Sequence, residues 1–417
     1  CGDAACTEPG DVVTIAEMHQ PTAPPEEGGH QYAETRILMP GDGLPIVVWE
    51  EWEEVEGGGS GYLRTYKCSS PDCSSGTLTT IGERTGSTIW AAVGPDKLPL
   101  IAQRTGEWRD TSIEITKCTD PSCTGAIESA TTEIPGVGWG LAATVDGANL
   151  PVIAAETAGE GDAPVALTVA RCVDPICAEV PQTVDLGIAV RGVSAVAVDR
   201  QIRRVVLAAG SQWDEVVPDQ LMLVECTDAS CSATPVVTPL FSTTGDAEAS
   251  GSLAIGTDGA VSVAHASGRG IHVMGCTSPQ CDGGPLHTTV VQDAGGWPRV
   301  DMSLRPDGSP VIAIHSNTDL GVIVCKNNTC ATSRVAPLSD APGSKWATTI
   351  AAPSEVSFSG TNPALDLGPD GRPVVGYLGF GADVGPEGQH VAGPKLLACS
   401  DPGCSTSTTQ TINDESA

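Results

Sequence analysis

Short apolar runs recur along this chain at intervals of about 50 residues, each preceded by a turn signal. The series reads "GDGLPIVVW", "GPDKLPLIA", "VDGANLPVIAA", "GTDGAVSVAH", "RPDGSPVIAIH" and "GPDGRPVVGY"; one further copy, "VDRQIRRVVLAAG", lacks the glycine. A run such as "TRILMP" or "DMSLRP" precedes each turn. An alternating run such as "YLRTYKC" or "SIEITKC" follows, and then a Thr- or Val-rich run such as "TLTTI" or "ATTEI". Each unit thus offers four strand candidates, and no ten-residue stretch carries helical periodicity. Adjacent Asp and Gly between apolar runs predict a tight hairpin in which both central residues take positive φ. Four antiparallel strands per unit, in seven complete units, predict an all-β fold. The expected architecture is a β-propeller of seven four-stranded blades, with eight as the alternative. A solenoid would want a shorter period and a string of sandwiches a longer one. Residues 1–417 read as one domain, with the seven repeats in 16–417.

The third and fourth runs of every unit flank a C-x4-C pair. The 16 cysteines form eight such pairs with none left over: Cys1 and Cys6, Cys68 and Cys73, Cys118 and Cys123, Cys172 and Cys177, Cys226 and Cys231, Cys276 and Cys281, Cys325 and Cys330, Cys399 and Cys404. Cysteines five apart can face each other across a hairpin turn at bonding distance, so one disulfide per blade is expected. Zinc is the rival reading, but a tetrahedral site needs four ligands and pairs on neighbouring blades stand too far apart to share one. The piece "CGDAACTEPGDVVTI", residues 1–15, matches the end of a unit and is expected to supply an outer strand for ring closure. The alternative for Cys1 is a lipid anchor, which would leave Cys6 unpaired.

Composition narrows the partners. The 417 residues carry 21 basic and 52 acidic side chains, a net charge of -31. Phosphate contacts need clustered Lys and Arg, so nucleic acid and anionic membrane surfaces are disfavoured. Aromatics make up only 4%, so any core must rest on aliphatic residues. No apolar run is long enough to span a bilayer as a helix. The chain opens at Cys1 without a signal sequence, which reads as a mature or trimmed exported product. Paired cysteines place it in an oxidising compartment: extracellular, periplasmic or on the cell surface.

In a propeller the turns between strands one and two and between strands three and four share one face, and here both are short. The opposite face carries the variable loops. From the turn Asp to the first Cys there are 18 residues in units five and six, but 26 in unit one (Asp42 to Cys68) and 29 in unit seven (Asp370 to Cys399). Long inter-blade loops also precede units one and seven. Ring closure makes these units neighbours, so four insertions converge on one sector, where binding would reside. The candidate ligand-binding residues there are Trp49, Trp52, Glu53, Glu54, Tyr62, Trp346, His19, His30 and His390, joined by Phe380 and by Glu50, Glu51 and Glu56. Aromatics would stack, and carboxylates would bind a cation or hydroxyls. The bland alternative is that the insertions cover the seam, and Trp49 lies on an apolar strand suited to a core. The histidine spacings match no metal motif. His265 and His315, at the ends of second strands in adjacent units, read as equivalent positions. No cofactor is expected; calcium is the one ion the charge would suit, although no EF-hand spacing occurs.

No G-x-S-x-G, HExxH, free-cysteine nucleophile or phosphate-binding loop is present. A glycosidase pair cannot be picked from 52 acids. "RPDGSPVI" and "GPDGRPVV" resemble, in the turns only, the Asp-box turns of sialidase-like propellers. That motif, S-x-D-x-G-x-T-W, has one residue between Asp and Gly where this chain has none. The resemblance implies a related architecture. The whole repeat, with its C-x4-C hairpins, also resembles a type found in uncharacterised secreted bacterial propellers. Three functions fit: a binding or assembly module for a glycan or protein partner, a carbohydrate-active hydrolase or lyase, and a structural subunit of an extracellular layer, filament or complex.

Overall fold

The computed structural model describes residues 35–55, 58–71, 73–84, 88–105, 112–134, 137–157, 165–190, 192–199, 204–210, 219–226, 228, 231–243, 251–267, 270–276, 286–291, 299–315, 320–330, 333–336, 363–384, 390–405 and 407–412. All regular structure in them is strand. The first sheet is β1 (Thr35–Leu38), β2 (Ile46–Val55), β3 (Gly58–Cys68) and β4 (Gly76–Arg84). The second is β5 (Ile89–Val93), β6 (Pro99–Thr105), β7 (Ser112–Cys118) and β8 (Ile127–Thr132). The third is β9 (Val137–Val145), β10 (Pro151–Thr157), β11 (Ala166–Arg171) and β12 (Gln182–Ala189). The fourth is β13 (Gly192–Val198), β14 (Arg204–Gly210), β15 (Asp219–Glu225) and β16 (Val236–Thr243). The fifth is β17 (Gly251–Ile255), β18 (Val261–Ser267), β19 (Gly270–Gly275) and β20 (Leu286–Val291). The sixth is β21 (Arg299–Leu304), β22 (Pro310–His315), β23 (Leu320–Cys325) and β24 (Ser333–Ala336). The last is β25 (Ala364–Leu367), β26 (Pro373–Val384), β27 (His390–Cys399) and β28 (Ser407–Thr411).

Each sheet is an antiparallel meander of four consecutive strands, and the described residues hold seven such sheets. The first strands touch in a closed cycle: β1, β5, β9, β13, β17, β21, β25 and back to β1. They surround the axis of a β-propeller. Closure is by packing, with β1 against β25 and β26. The last blade takes its outer strand from β28, and the expected closing segment 1–15, with Cys1 and Cys6, lies outside the described residues.

The core is divided among the seams. Ile37, Val47, Trp49 and Tyr66 of the first blade bury against Ala364, Val374, Leu396 and Ile412 of the last. Six comparable clusters fill the other six seams. Alternate residues of a strand point to opposite faces, so the second strands whose side chains are described serve two seams at once. In β2, Val47 and Trp49 face the last blade while Ile46 and Val48 face the second.

Six first-to-second-strand turns are described, and each differs from the tight form expected. The backbone N–H of Gly43, Lys97, Asn149, Gly259, Gly308 and Gly371 donates to the carbonyl three residues earlier, and only that last residue has positive φ, from 62° to 82°. This is a four-residue turn whose last residue is left-handed. Except in the third blade, the residue before it is Asp, and its carboxylate accepts an N–H two residues on, as Asp42 does from Leu44 and Asp258 from Ala260. In the first three blades the turn carboxylate also holds the base that precedes the first cysteine: Asp42 with Lys67 at 2.7 Å, Asp96 with Lys117, and Asp146 with Arg171 at 2.7 Å.

The staples sit between the third and fourth strands. Disulfides join Cys68–Cys73, Cys118–Cys123, Cys172–Cys177, Cys226–Cys231, Cys325–Cys330 and Cys399–Cys404, with Cα atoms 4.8–5.0 Å apart. Cys276 is also disulfide-bonded, and Cys281 lies outside the described residues. The second cysteine of each described pair is left-handed, with φ from 50° to 59°. Where the third residue of the pair is Asp, its carboxylate collects loop N–H groups: Asp120 from Ser122 and Gly125, Asp174 from Ile176, Ala178 and Glu179. Partial burial would raise these carboxyls, but the hydrogen bonds outweigh it and hold both below the ordinary Asp range. Their stabilisation is therefore present above about pH 4 and lost as pH falls through the depressed values. Amide exchange in residues 119–125 is expected to accelerate below pH 4. An Asp120→Asn variant should lack that acid step; an identical profile would show that the carboxylate does not hold the loop.

Candidate functional site

Two blades depart from the common strand length. In five blades the second and third strands run six or seven residues, whereas β2 and β3 have 10 and 11, and β26 and β27 have 12 and 10. The excess lies at the far end. β1 stops opposite Trp49, but β2 and β3 stay paired out to Val55 and Gly58. β25 stops opposite Gly376, and β26 and β27 stay paired out to Val384 and His390, with a bulge after Phe380. At about 3.4 Å per residue the first ribbon runs on for about 20 Å past the end of β1. Second strands run away from the stapled turns, so both ribbons stand on the variable-loop face. They rise from blades that share the closing seam.

The sequence-predicted residues fall into three groups. Trp49 is fully buried in the closing seam, so it is a core side chain and not an exposed stacking platform. Glu50 is buried on the opposite face of β2, which it shares with Ile46 and Val48 against the second blade. Glu51 and Tyr62 are half-buried cross-strand partners on the ribbon. Arg64 links them, its Nε 2.7 Å from Glu51 Oε2 and its guanidinium 5.5 Å from the Tyr62 ring centre. Parity puts this cluster on the face of β2 that Trp49 turns to the last blade. Trp52, Glu53, Glu54, Phe380 and His390 belong to ribbon backbone, but their side chains lie outside the description. His19, His30, Glu56 and Trp346 lie outside the described residues.

His265 and His315 are not equivalent. Counted from the first residue of its turn, His265 is nine residues on and His315 is ten (Gly256 to His265, Arg305 to His315). One residue reverses the face of a strand. His265 therefore turns to the fourth blade and His315 to the seventh. His265 is fully buried and stacks on its cross-strand partner His272 at 5.0 Å. Among the described residues no group of three His, Cys, Asp or Glu could hold a metal ion.

A second cluster, which the sequence reading missed, lies on the axis. At one register level the first strands carry Arg36, Trp90, Ala142, Ala195, Ser252, Asp301 and Ala364. The Arg36 guanidinium lies 5.1 Å from the centre of the Trp90 ring. The indole Nε1 donates to Leu141 O at 2.6 Å, and the ring packs against the core clusters of the second-to-third, third-to-fourth and fourth-to-fifth seams. Ser252 Oγ donates to Asp301 Oδ1 at 2.8 Å, and Asp301 Oδ2 accepts the Leu365 N–H at 2.7 Å. Asp366 Oδ2 accepts the Met39 N–H at 2.9 Å, across the closing seam. Burial raises both carboxyls. For Asp301, the Leu365 N–H, Ser252 and the Arg36 charge pull back; Asp366 is pushed up to about 6, and Asp301 adds to the push. Both carboxylates are half-buried. The signal was an acid in each of two successive first strands, "DMSLRP" and "ALDLGP", that are otherwise mostly apolar.

No family model matches the chain, and no curated protein does. Solved structures share the fold. An acylaminoacyl peptidase from Pyrococcus horikoshii is 10% identical with a TM-score of 0.50, over 89% of this chain and 51% of that one. The β-propeller domain of the Trilobed protease from Pyrococcus furiosus is 9% identical with a TM-score of 0.48, over 93% and 99%. A GH93 α-L-arabinofuranosidase of Fusarium graminearum is 12% identical with a TM-score of 0.47, over 93% and 98%. The class of the molecule, a β-propeller, is defined by its own ring of four-stranded sheets, and at these identities the likeness adds nothing narrower.

Proposed function

We propose that the protein is a secreted or surface-displayed binding or assembly module. It recognises a glycan or a protein partner through the two ribbons on either side of the closing seam. The observation that carries this reading is the lengthening of two adjacent blades on one face, while the other five keep a uniform length. A scaffold with disulfides at its other end can hold such ribbons in place without ordering them anew on binding. The -31 charge and the run "EEWEEVE" suit a partner rich in hydroxyls or positive charge. Carboxylates of that run would recruit calcium. The two half-buried carboxylates Asp301 and Asp366 accept backbone N–H groups, an arrangement that supports framework and not acid–base chemistry.

The test is a screen of extracellular polysaccharides, glycans and basic peptides, run with calcium and with chelator. Replacing residues 52–61 by a two-residue Asn-Gly turn, which leaves Glu51 and Tyr62 as the closing pair, should abolish any hit, a loss of at least tenfold in affinity, with the unfolding temperature held within a few degrees. Binding that survives this replacement and a matching one at 380–392, between Gly379 and Gly393, would overturn the assignment. Release of cleaved product from a bound polysaccharide would favour the hydrolase or lyase instead.

A further inference from the structure

The first sheet carries a polar row on the face it turns to the last blade. Thr35, Trp49 and Arg64 stand in register across β1, β2 and β3. Two residues further out, the cross-strand partners Glu51 and Tyr62 lie on the same face. Two atoms of the row are unpaired. Thr35 Oγ1 and Trp49 Nε1 are fully buried and have no hydrogen-bond partner among the described residues. A buried polar atom left unpaired is costly, so its presence needs a reason. The last blade supplies no partner: Val374, Leu396 and Ile412, which it packs into this seam, are apolar. Gly376 lies so close that a Cβ on it would stand 3.3 Å from Thr35 Cγ2. The row also marks where both first strands begin, Thr35 opposite Trp49 and Ala364 opposite Gly376. Beyond that level the ribbons β2–β3 and β26–β27 run on without a first strand beside them.

We propose that this row, at the root of the gap between the ribbons, is a subsite for a neutral, hydroxyl-rich sugar; the inference rests on the binding reading given above and narrows it. A sugar hydroxyl both donates and accepts. Glu51 offers an acceptor, Arg64 offers donors, and the Thr35 hydroxyl and Trp49 N–H stand unused beside them. Arg64 Nε lies 2.7 Å from Glu51 Oε2, so the two charges offset each other. That balance favours an uncharged ligand over a basic peptide, and the net charge of -31 tells against an acidic sugar. The half-buried Tyr62 ring adds apolar surface for the C–H side of a sugar ring. Both unpaired atoms are enclosed while the seam is shut, so a ligand oxygen reaches them by parting the ribbon roots. Parting exchanges two unmade hydrogen bonds for two made ones, which offsets the apolar contact given up. The Trp49 ring stays a core group, and only its N–H edge takes part.

The experiment titrates the full chain with short neutral oligosaccharides, and in parallel with uronate-containing oligosaccharides and Lys-rich peptides. Calorimetry reads affinity, and NMR follows the Trp49 indole N–H. A neutral oligosaccharide is expected to bind and to move that signal downfield as the N–H gains an acceptor. Thr35→Val keeps the shape and removes the hydroxyl. It should weaken binding about fivefold while the unfolding midpoint stays level or rises, because an unpaired buried hydroxyl is lost. A clear fall in that midpoint would show that the hydroxyl has a structural partner, and would overturn the proposal. Trp49→Phe should weaken binding by a similar factor. If it fails to fold, the native chain decides: an indole signal unmoved at saturation sinks the subsite. Sugar binding that is lost on the ribbon replacement but unchanged in both point variants would retire the subsite and keep the binding reading. Binding of the acidic sugars or Lys-rich peptides alone would overturn the neutral-sugar class. A chain that binds none of the probes would retire subsite and reading together.

Discussion

Replacing Trp49 with alanine is expected to lower the unfolding free energy by about 3–5 kcal/mol, as removal of a fully buried aromatic does. The side chain sits at 0% exposure among Ile37, Val47, Tyr66, Ala364, Val374 and Leu396, in the seam where the first blade meets the last. The effect should concentrate there, because no strand of one blade described here is supplied by the other. Urea unfolding would show a lower midpoint, and exchange of β1 and β25 amides would rise before that of the middle blades. Trp49→Phe, which keeps most of the volume, should recover more than half of the loss. If Trp49→Ala left stability unchanged and removed ligand binding, the indole would be a recognition group and its burial here would be misassigned.

Reduction of the disulfides should have a larger effect. Each staple closes a loop of six residues and contributes about 2 kcal/mol in the chain-entropy view. The six described bonds together come to the order of 10 kcal/mol, comparable with the whole stability of many domains. Their location adds a packing term. Cys68 and Cys73 lie in the closing-seam core, and Cys118 and Cys123 lie in the next seam against Leu38, Val48 and Ile101. Each staple therefore fills the seam with the preceding blade, in a chain whose aromatics amount to 4%. Incubation with reductant in mild urea is expected to unfold the ring, whereas urea alone at that concentration should leave it folded. Retention of native strand signal after complete reduction would mean that aliphatic packing alone suffices. Replacing a single pair, Cys172 and Cys177, by serines should cost about 2–4 kcal/mol, since buried hydroxyls then stand where sulfur packed.

The sequence alone determined the repeat, the strands and the staples, because these depend on local pattern. A period of about 50, an apolar run after each turn and a C-x4-C at each third-to-fourth junction are visible without any knowledge of neighbours. It also located the sector that carries the long ribbons, since loop length is a one-dimensional quantity and closure of a ring makes the first unit adjoin the last. Tertiary structure decided what depends on register. A single extra residue put His315 on the opposite face from His265, and the first-to-second-strand turns proved to carry one left-handed residue instead of two. Parity sent Trp49 into the core and Glu51 toward the Arg64–Tyr62 pair. The axial cluster was out of reach for the same reason. Arg36, Trp90, Ser252, Asp301 and Asp366 are spread over 331 positions, counted from Arg36 to Asp366 inclusive. Only seven strands turned about one axis bring them together, where burial and mutual charge give them properties that none has alone.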